Sequence, residues 1–307
     1  MVDTDAAADL IGSQFPHLAG APVRLLAEGW DNTVHVVGGA ARDGDAPWAF
    51  RFPRRAVAVP GVEREIALLP RLAPALPMLV PVPELVGTPT AGYPWPFFGA
   101  RLLPGTELAE AGLADVRRAE LGAVLGRFLR ALHDPLLAQT LGPGLPIDPM
   151  RRSLPSHRAP MARERLARLR SRGDRLTEVM ADGRIDALLD SSLGLPPSAA
   201  EPVLVHGDLH LRHVLVDETG VGAGVIDWGD VCLADASVDL SIAYTAFEGA
   251  SRAALFDAYG WPVEEEREAR ARVLAVSLCA VLADYADEDH RPALLAESLA
   301  GLRRAVS

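Results

Sequence analysis

The sequence predicts an α+β fold, with a small lobe of antiparallel strands over residues 1–103 and a larger, mostly helical lobe over residues 104–307. Three observations predict it. Short β-prone runs separated by turn residues dominate the first region, and helical apolar periodicity dominates the second. One strand–turn–strand segment, at 203–227, interrupts the helices. A chain of 307 residues is long enough for two such lobes, at roughly 100–200 residues for each domain.

The first region contains four β-prone runs and one amphipathic helix. The strands are expected at 23–27, 33–37, 48–52 and 97–103, and the helix at 62–72. In the third strand Phe50 and Phe52 share a face and Arg51 points the other way, because side chains alternate along a strand. The last strand ends at a Pro-Gly pair, which is typical of a connection between lobes.

The second region is predicted from its helices and from one inserted hairpin. Amphipathic helices are expected at 117–132, 238–247, 253–259, 264–285 and 292–305. The hairpin strands flank the turn at 217–220, whose Asp-Glu-Thr-Gly sequence is rich in turn formers.

Composition excludes several classes of protein. The net charge is -11, and all 30 basic residues are Arg, so a general nucleic-acid partner is not expected. Two cysteines form neither a disulfide framework nor a metal-ligand pattern, which favours a reducing compartment. The acidic amino terminus lacks the pattern of a signal peptide, and no apolar run is long enough to span a membrane. We therefore expect a cytoplasmic protein that does not contact a membrane.

The hairpin carries the residues with a chemical pattern. Asp208 precedes the first strand, His213 follows five residues later, and Asp227 ends the return strand. The outer ends of two antiparallel strands meet, so these three side chains are expected to converge. Phosphoryl transfer uses one carboxylate to orient the attacking hydroxyl and two ligands to hold Mg²⁺. Asp208 is the candidate for the first role, and His213 and Asp227 for the second.

A different chemistry uses the histidines of the same segment. His206, Asp208, His210 and His213 lie within eight residues and could ligate Zn²⁺ in a hydrolase. Their spacing is not a helical one, and the other histidines are scattered along the chain. We keep the zinc site as the alternative.

The string HGDLHLRH followed by VIDWGD resembles the aminoglycoside phosphotransferase family of the protein-kinase-like superfamily. The resemblance implies a two-lobed protein-kinase-like fold, with Asp208 as the catalytic Asp and Asp227 as a metal ligand. His213 stands where most members have Asn. In this respect the chain is similar to macrolide phosphotransferases and aminoglycoside 2''-phosphotransferases, in which a His binds the metal. His206 is expected to pack inside the loop, and Asp235 and Asp239 to brace it.

The resemblance extends to the small lobe and implies a nucleotide site there. The loop that covers the phosphates corresponds to residues 29–33, with Gly29, Asn32 and Thr33. Arg51 stands where the family has a phosphate-binding Lys, and a chain without Lys can keep the charge only as Arg. Glu65 matches the helix Glu that pairs with that residue. Glu63 is the alternative if the register shifts.

The segment 99–105 resembles the hinge between the lobes. The backbone of Arg101 and Leu103 would bind the purine base, and Ala100 would lie at the back of the base pocket. A small residue there suits ATP, whereas the macrolide and 2''-aminoglycoside relatives often use GTP. The cosubstrate is therefore expected to be ATP or GTP, with Mg²⁺.

The acceptor in this family lies between the catalytic loop and the late helices. Antibiotics with amino groups would meet carboxylates and aromatic surface there. Besides Asp208, the candidate contacts are Asp230, Tyr244, Glu248, Asp284 and Asp287. The expected acceptor is a small, cationic molecule, and the expected assembly is a monomer or a weak dimer.

These expectations define one activity and two alternatives. The activity is transfer of the γ-phosphoryl group of ATP or GTP to a hydroxyl of a macrolide or aminoglycoside. The first alternative is a metabolic small-molecule kinase of the choline, homoserine or sugar type. The second is a nucleotide-binding module without catalytic activity.

Overall fold

The computed structural model describes residues 2–38, 46–173, 179 and 181–307. The chain forms two compact units. The first comprises Met1–Ala75, Leu79–Pro104 and Ile226–Gly229, and the second comprises Leu76–Met78, Gly105–Val225 and Asp230–Ser307. The short segment that contains Asp227 therefore belongs to the first unit, although it directly follows a strand of the second in the chain.

The first unit is built on a five-stranded antiparallel sheet with the order β1-β2-β3-β5-β4. Its strands are β1 (Val23–Glu28), β2 (Asn32–Val37), β3 (Trp48–Pro53), β4 (Leu85–Gly87) and β5 (Phe97–Arg101). Its helices are α1 (Thr4–Gln14) and α2 (Val59–Leu72). The strands and the helix that the sequence predicts here are all present, with ends shifted by a few residues.

Aromatic side chains fill the core of this unit. Phe50 and Phe52 are fully buried, as the alternation along β3 predicts. The rings of Phe52 and Phe97 stack with centroids 4.6 Å apart. Because Phe50 and Phe52 occupy one face of β3, Arg51 is left on the other face.

The second unit contains the remaining strands and eight further helices among the residues that the structure describes. The hairpin strands β8 (Val214–Val216) and β9 (Gly222–Val225) pair with β6 (Thr106–Glu107), and β7 (Val203–Val205) pairs with β10 (Cys232–Ala234). The helices are α3 (Ala119–Leu132), α4 (Pro135–Leu141), α5 (Pro155–Ser171), α6 (Arg184–Ser192), α7 (Ser237–Ala246), α8 (Gly249–Tyr259), α9 (Glu265–Glu288) and α10 (Pro292–Ala305).

The helices differ from the sequence prediction in two places, at the start of one helix and by the presence of another. The predicted helix at 117–132 begins at Ala119, because Asp115–Arg117 form a separate 3-10 turn. The short helix α4 is not predicted from the sequence. Asp134 caps it by accepting a hydrogen bond from the backbone N–H of Leu136 at 2.8 Å, and Pro135 occupies its first turn.

The side chain of Asp217 stabilises the turn between β8 and β9. Asp217 accepts hydrogen bonds from the backbone N–H groups of Thr219 (2.9 Å) and Val221 (3.1 Å). These bonds hold the pKa of the Asp217 carboxyl below its usual range, the largest cause being the bond from the Thr219 hydroxyl.

No helix within the described ranges has both the length and the apolar character needed to cross a membrane.

Candidate active site

The catalytic loop starts where β7 ends, at His206-Gly207-Asp208. Its backbone is held by Asp239, whose carboxylate accepts hydrogen bonds from the N–H groups of His206 (2.7 Å) and Gly207 (3.1 Å). Asp239 is fully buried and also lies 3.3 Å from Nε2 of the buried His133. A buried carboxylate that accepts several hydrogen bonds fixes the groups around it. The start of the loop is therefore anchored to a buried carboxylate.

The two bracing residues expected from the sequence have different roles. Asp239 holds the loop, as predicted. Asp235 instead accepts from the backbone N–H of Ser237 (2.9 Å) and from the hydroxyl of Ser198 (2.6 Å), at the start of α7. Burial tends to raise the pKa of the Asp235 carboxyl, but these hydrogen bonds outweigh it, and the pKa lies below its usual range.

The carboxylate of Asp208 has one oxygen in a close ion pair. Oδ1 lies 2.9 Å from Nη2 of Arg152. Oδ2 lies 3.7 Å from Nε2 of His210 and 4.0 Å from Nδ1 of His213. The side chain is 24% exposed, so the carboxylate is accessible to a small molecule.

A hydrogen bond to the backbone of Asp208, five residues earlier, orients the ring of His213. Its Nδ1 lies 2.8 Å from the carbonyl oxygen of Asp208. A carbonyl oxygen can only accept, so Nδ1 carries a proton, and in the neutral ring the lone pair is then on Nε2. Metal-binding histidines are commonly fixed in this way. His213 therefore fits the role of a metal ligand through Nε2.

The zinc alternative finds three of its four residues together. Asp208, His210 and His213 each offer a ligand atom, and these atoms lie within 4.8 Å of one another. However, the rings of His210 and His213 stack face to face, 3.8 Å apart at 29°. The N–H of Arg212 also donates to Nδ1 of His210 at 3.3 Å, which leaves the proton on Nε2. With the proton on Nε2, His210 could ligate the ion only after giving up the bond from Arg212, so the zinc site stays an alternative.

The first unit contains its own cluster of charged residues around Arg51. Nη2 of Arg51 lies 2.6 Å from Oδ1 of Asp227, and Nε lies 3.3 Å from Oε2 of Glu65. Glu65 also accepts a hydrogen bond from the backbone N–H of Trp228 at 2.9 Å. The predicted pairing thus falls on Glu65, which is fully buried, whereas Glu63 is exposed.

The burial of Glu65 changes its acidity. Desolvation raises its pKa to about 7; Asp227 adds to the rise, while Arg51 and the hydrogen bond from Trp228 oppose it. Asp227 itself has φ of 65°, an uncommon backbone conformation for a residue other than glycine. Such strain is typical of functional segments. Arg51, Glu65 and Asp227, all predicted site residues, therefore form one group in which each charge affects the others.

The residues of the predicted phosphate loop form a tight turn. The N–H of Gly29 donates to the carbonyl oxygen of Asn32 at 2.9 Å. In the amide orientation that satisfies both groups, the side-chain oxygen of Asn32 accepts from Nη2 of Arg51 at 2.8 Å. Thr33 differs from the expectation of a residue facing phosphate, because it is only 1% exposed.

The predicted purine-binding segment continues β5. Ala100 is buried against Val62 and Phe98. The N–H of Leu102 donates to the carbonyl oxygen of Pro47 at 2.8 Å. Peptide groups alternate along an extended strand, so the N–H of Arg101, the last residue of β5, points towards the opposite edge. That orientation agrees with main-chain recognition of a base.

The carboxylates predicted to contact the acceptor already have arginine partners. Nη1 of Arg152 donates to Asp230 at 2.7 Å. Asp284 is 1% exposed and accepts from Arg165 (2.7 Å) and Arg172 (2.9 Å). Asp287 lies 3.9 Å from Arg172. The Arg-rich stretch after residue 150 thus neutralises the acidic face of α9.

The other two predicted acceptor contacts have structural surroundings. Tyr244 is 2% exposed, and its ring lies under the guanidinium groups of Arg252 and Arg272 at 4.9 and 4.4 Å. Glu248 caps α8 in a reciprocal capping box with Ser251. Tyr244 therefore lacks the exposed surface that an acceptor contact needs, whereas Glu248 is exposed but its side chain caps a helix.

Sequence reasoning missed Arg152, Asp148 and His133, all of which support the catalytic loop. Arg152 is one of many arginines in its stretch, and His133 ends a helix far away in the sequence. A Pro-Ile-Asp-Pro turn before two arginines was the only local signal, since Asp in such a turn often organises the following backbone.

Solved structures of known proteins share the fold along almost their whole length. The GDP complex of wild-type aminoglycoside 2'-phosphotransferase-IIIa is 22% identical, with a TM-score of 0.68 over 99% of this chain and 98% of that chain. The macrolide 2'-phosphotransferase MphH from Brachybacterium faecium is 24% identical, with a TM-score of 0.58 over 97% and 98%. The ADP and spectinomycin complex of spectinomycin phosphotransferase is 13% identical, with a TM-score of 0.64 over 99% and 94%. The predicted α+β, protein-kinase-like fold class is confirmed.

Sequence comparison gives a short match to a curated protein and a long match to a family profile. The uncharacterized protein YcbJ of Bacillus subtilis (strain 168) is 38% identical over 56 residues, which span 18% of this chain and only 18% of that protein's length. The profile described as "Phosphotransferase enzyme family" matches residues 22–275, which include the catalytic loop, Arg51, Glu65 and Asp227. The chain therefore belongs to the phosphotransferase enzyme family and is a kinase-type enzyme, as its catalytic motifs predicted.

Proposed function

We propose that this protein transfers the γ-phosphoryl group of ATP or GTP to a hydroxyl group of a small molecule. The observation that carries the proposal is the state of Asp208. Its carboxylate is accessible, one of its oxygens is held by Arg152, and Asp239 holds the backbone of the two residues before it. A rigid carboxylate at the end of a strand is what a phosphotransferase needs to orient an attacking hydroxyl.

Oδ2 of Asp208 is the atom proposed to meet the acceptor. The acceptor hydroxyl donates its hydrogen bond to this oxygen, and its own oxygen attacks the γ-phosphorus. The new bond joins the acceptor oxygen to phosphorus, while the bond from phosphorus to the β–γ bridging oxygen breaks. The nucleoside diphosphate leaves with that electron pair, and the hydroxyl proton passes to Asp208.

His213, through Nε2, and Asp227 are the residues proposed to hold Mg²⁺. When bound, this ion would offset the negative charge that develops on the phosphate oxygens. Arg51 is proposed to contact the phosphates, and Glu65 to set its position. Known relatives bound to GDP and to ADP support a nucleotide cosubstrate of either base.

The charges of the second unit support an acceptor with few positive charges. Asp230, Asp284 and Asp287, the carboxylates expected to attract a cation, have Arg152, Arg165 or Arg172 as neighbours. A polycation would have to compete with these arginines for the same carboxylates. This consideration favours a macrolide-like acceptor with one amino sugar over an aminoglycoside. It fits a neutral metabolic alcohol equally well, so a metabolic kinase is the second candidate.

The test is a panel of acceptors assayed with Mg²⁺ and either ATP or GTP. The panel contains macrolides, aminoglycosides and primary metabolites with hydroxyl groups, including choline, homoserine and sugars. Release of nucleoside diphosphate is measured above the rate without acceptor, and the phosphorylated product is identified by mass spectrometry. We expect turnover with a macrolide or a neutral alcohol, and none with Asp208→Asn.

Each alternative has a distinct outcome in this panel. Preferred turnover of aminoglycosides would contradict the argument from charge. Tight nucleotide binding without turnover of any acceptor would favour the module without catalytic activity. In parallel reactions without nucleotide, product formation that needs Zn²⁺ would favour the hydrolase.

A further inference from the structure

Arg152 contacts the residue proposed to be catalytic and is held from the other side by a second carboxylate. Its Nη2 lies 2.9 Å from Asp208, and its Nη1 lies 2.7 Å from Asp230. Only 12% of the side chain is exposed. We propose that Arg152 is a positioning residue that clamps Oδ1 of Asp208 and so directs Oδ2 at the acceptor hydroxyl. The proposal rests on the phosphotransferase function proposed above.

A turn organised by Asp148 delivers Arg152 to this place. The carboxylate of Asp148 accepts from the backbone N–H groups of Arg152 (2.7 Å) and Ser153 (2.9 Å), and from the Ser153 hydroxyl (2.6 Å). Within the turn, Asp148 and Arg151 have φ of 33° and 51°. Residues other than glycine take up this conformation at an energetic cost, so the surrounding contacts must hold it.

The turn is attached to the same small sheet that carries Asp208. The N–H of Asp148 donates to the carbonyl oxygen of Leu233 at 2.9 Å, and the N–H of Leu233 donates to Pro146 at 2.9 Å. Leu233 belongs to β10, whose partner strand β7 leads into the catalytic loop. The turn that carries Arg152 and the loop that carries Asp208 are therefore attached to neighbouring strands.

Asp230 completes the clamp from the chain that enters β10. A Cβ at Gly207 would lie 2.2 Å from the carbonyl oxygen of Asp230, so the two backbones are in direct contact. Burial alone would lower the pKa of Arg152, but the charges of Asp208 and Asp230 raise it above its usual range. The guanidinium is thus permanently charged and shared between two carboxylates.

The shape of the guanidinium explains why an arginine is needed. Its planar fork presents separate N–H groups to two acceptors at fixed angles, whereas the ammonium of Lys is a flexible point charge. A clamp on one oxygen restricts rotation of the carboxylate and leaves the other oxygen in one direction. Misplacing a reacting group by about 1 Å can cost about 100-fold in rate.

The experiment compares variants of Arg152 in the full-length protein. We expect Arg152→Ala to lower kcat about 100-fold and Arg152→Lys about 10-fold, with the KM for nucleotide within about twofold of wild type. Added guanidinium ion is expected to restore part of the kcat of Arg152→Ala. Loss of Asp230 in Asp230→Asn should lower kcat about 10-fold, because Arg152 then lacks its second anchor.

Arg163→Ala is the matched control. Arg163 also pairs with an aspartate of the second unit, Asp190 at 2.7 Å, but it is 39% exposed and lies on α5. It should keep the kcat of wild type. A general loss of stability would affect nucleotide binding as well, whereas loss of positioning lowers kcat alone and responds to guanidinium.

A second measurement tests the clamp without turnover. In protein labelled with ¹⁵N-arginine, the Arg152 guanidinium should give N–H signals slowed in rotation and exchange, and these should disappear in Asp230→Asn. Missing signals in the wild type would overturn the clamp. Wild-type turnover that Arg152→Ala retains would overturn its role in positioning while leaving the phosphotransferase function intact. A wild type that turns over no acceptor would overturn the proposed function and this inference with it.

Discussion

Arg51 lies at the centre of the charged group in the first unit. It reaches Asp227 and Glu65 at once, and Asn32 faces the same guanidinium. A nucleotide phosphate would therefore meet a guanidinium already held in place. Because the chain has no Lys, Arg is the only type of permanently cationic side chain that it can place there.

Replacing Arg51 tests its proposed contact with the phosphates. Arg51→Met should weaken nucleotide binding by about 10-fold or more, because a charge-assisted hydrogen bond contributes about 1.5–3 kcal/mol. Isothermal titration calorimetry with GDP and ADP measures the change. The control is Arg24→Met, at an exposed position on β1. Equal affinities for the two variants would contradict the assignment.

Glu65 should make the stability of the protein depend on pH. Its pKa is about 7 in the folded protein and 4.5 ordinarily, so the folded state binds the proton more tightly. The resulting stabilisation is complete below the ordinary pKa and is lost as the pH rises from 4.5 towards 7. In Glu65→Gln, the free energy of unfolding by urea should vary less with pH over this window.

The neighbouring glutamate provides the control for that titration. Glu63 lies on the same helix but is exposed. Glu63→Gln should follow the pH dependence of wild type. A wild-type stability that is flat over the window would show that Glu65 stays ionised in the folded protein.

At the scale of elements, the catalytic loop depends on one glycine. Gly207 has φ of +90°, and a Cβ there would lie 2.2 Å from the carbonyl oxygen of Asp230. Gly207→Ala should therefore cost about 2–4 kcal/mol through strain and overpacking, and it should also lower kcat. Gly112→Ala shares the positive φ, +60°, but has open space around it, so about 1–2 kcal/mol is expected from strain alone. Urea unfolding of both variants measures the difference, and equal losses would contradict the close contact.

The packing of α3 against α8 also depends on glycines, because the backbones of the two helices are in direct contact. Cβ atoms at Gly122 and Gly126 would lie 2.4 Å from the carbonyl oxygen of Ser251 and 2.2 Å from that of Leu255. Gly126→Ala should force the two helices apart and lower the free energy of unfolding by about 2–3 kcal/mol. Gly194→Ala, in open space and without a positive φ, should change it by less than about 0.5 kcal/mol. A neutral Gly126→Ala would mean that the helices separate without cost.

For the whole molecule, the fold and the activity should differ in their need for metal. The proposed metal ligands already have protein partners, since Asp227 pairs with Arg51 and His213 bonds to the backbone of Asp208. A chelator should therefore abolish turnover while the Tm changes little, and Mg²⁺ should restore turnover. A large fall in Tm on chelation would instead indicate a structural ion such as zinc.

The sequence by itself determined the fold class, and it predicted the candidate catalytic residues of the loop. Alternation along β3 placed Phe50 and Phe52 in the core and Arg51 opposite them, because side-chain direction on a strand is a local property. The positions of Asp208, His213 and Asp227 at the ends of a strand–turn–strand segment could be predicted for the same reason. Local pattern also predicted most of the strands and helices, with errors mainly at their ends.

Only the tertiary structure decided which charges act together. Asp284 looked like a ligand for a cationic acceptor, yet Arg165 and Arg172 neutralise it from a distant segment. Arg152 looked like one arginine among many, yet β10 and the Asp148 turn bring it to Asp208. Charge pairing depends on distances between residues far apart in the chain, and the folded packing of strands and helices sets those distances.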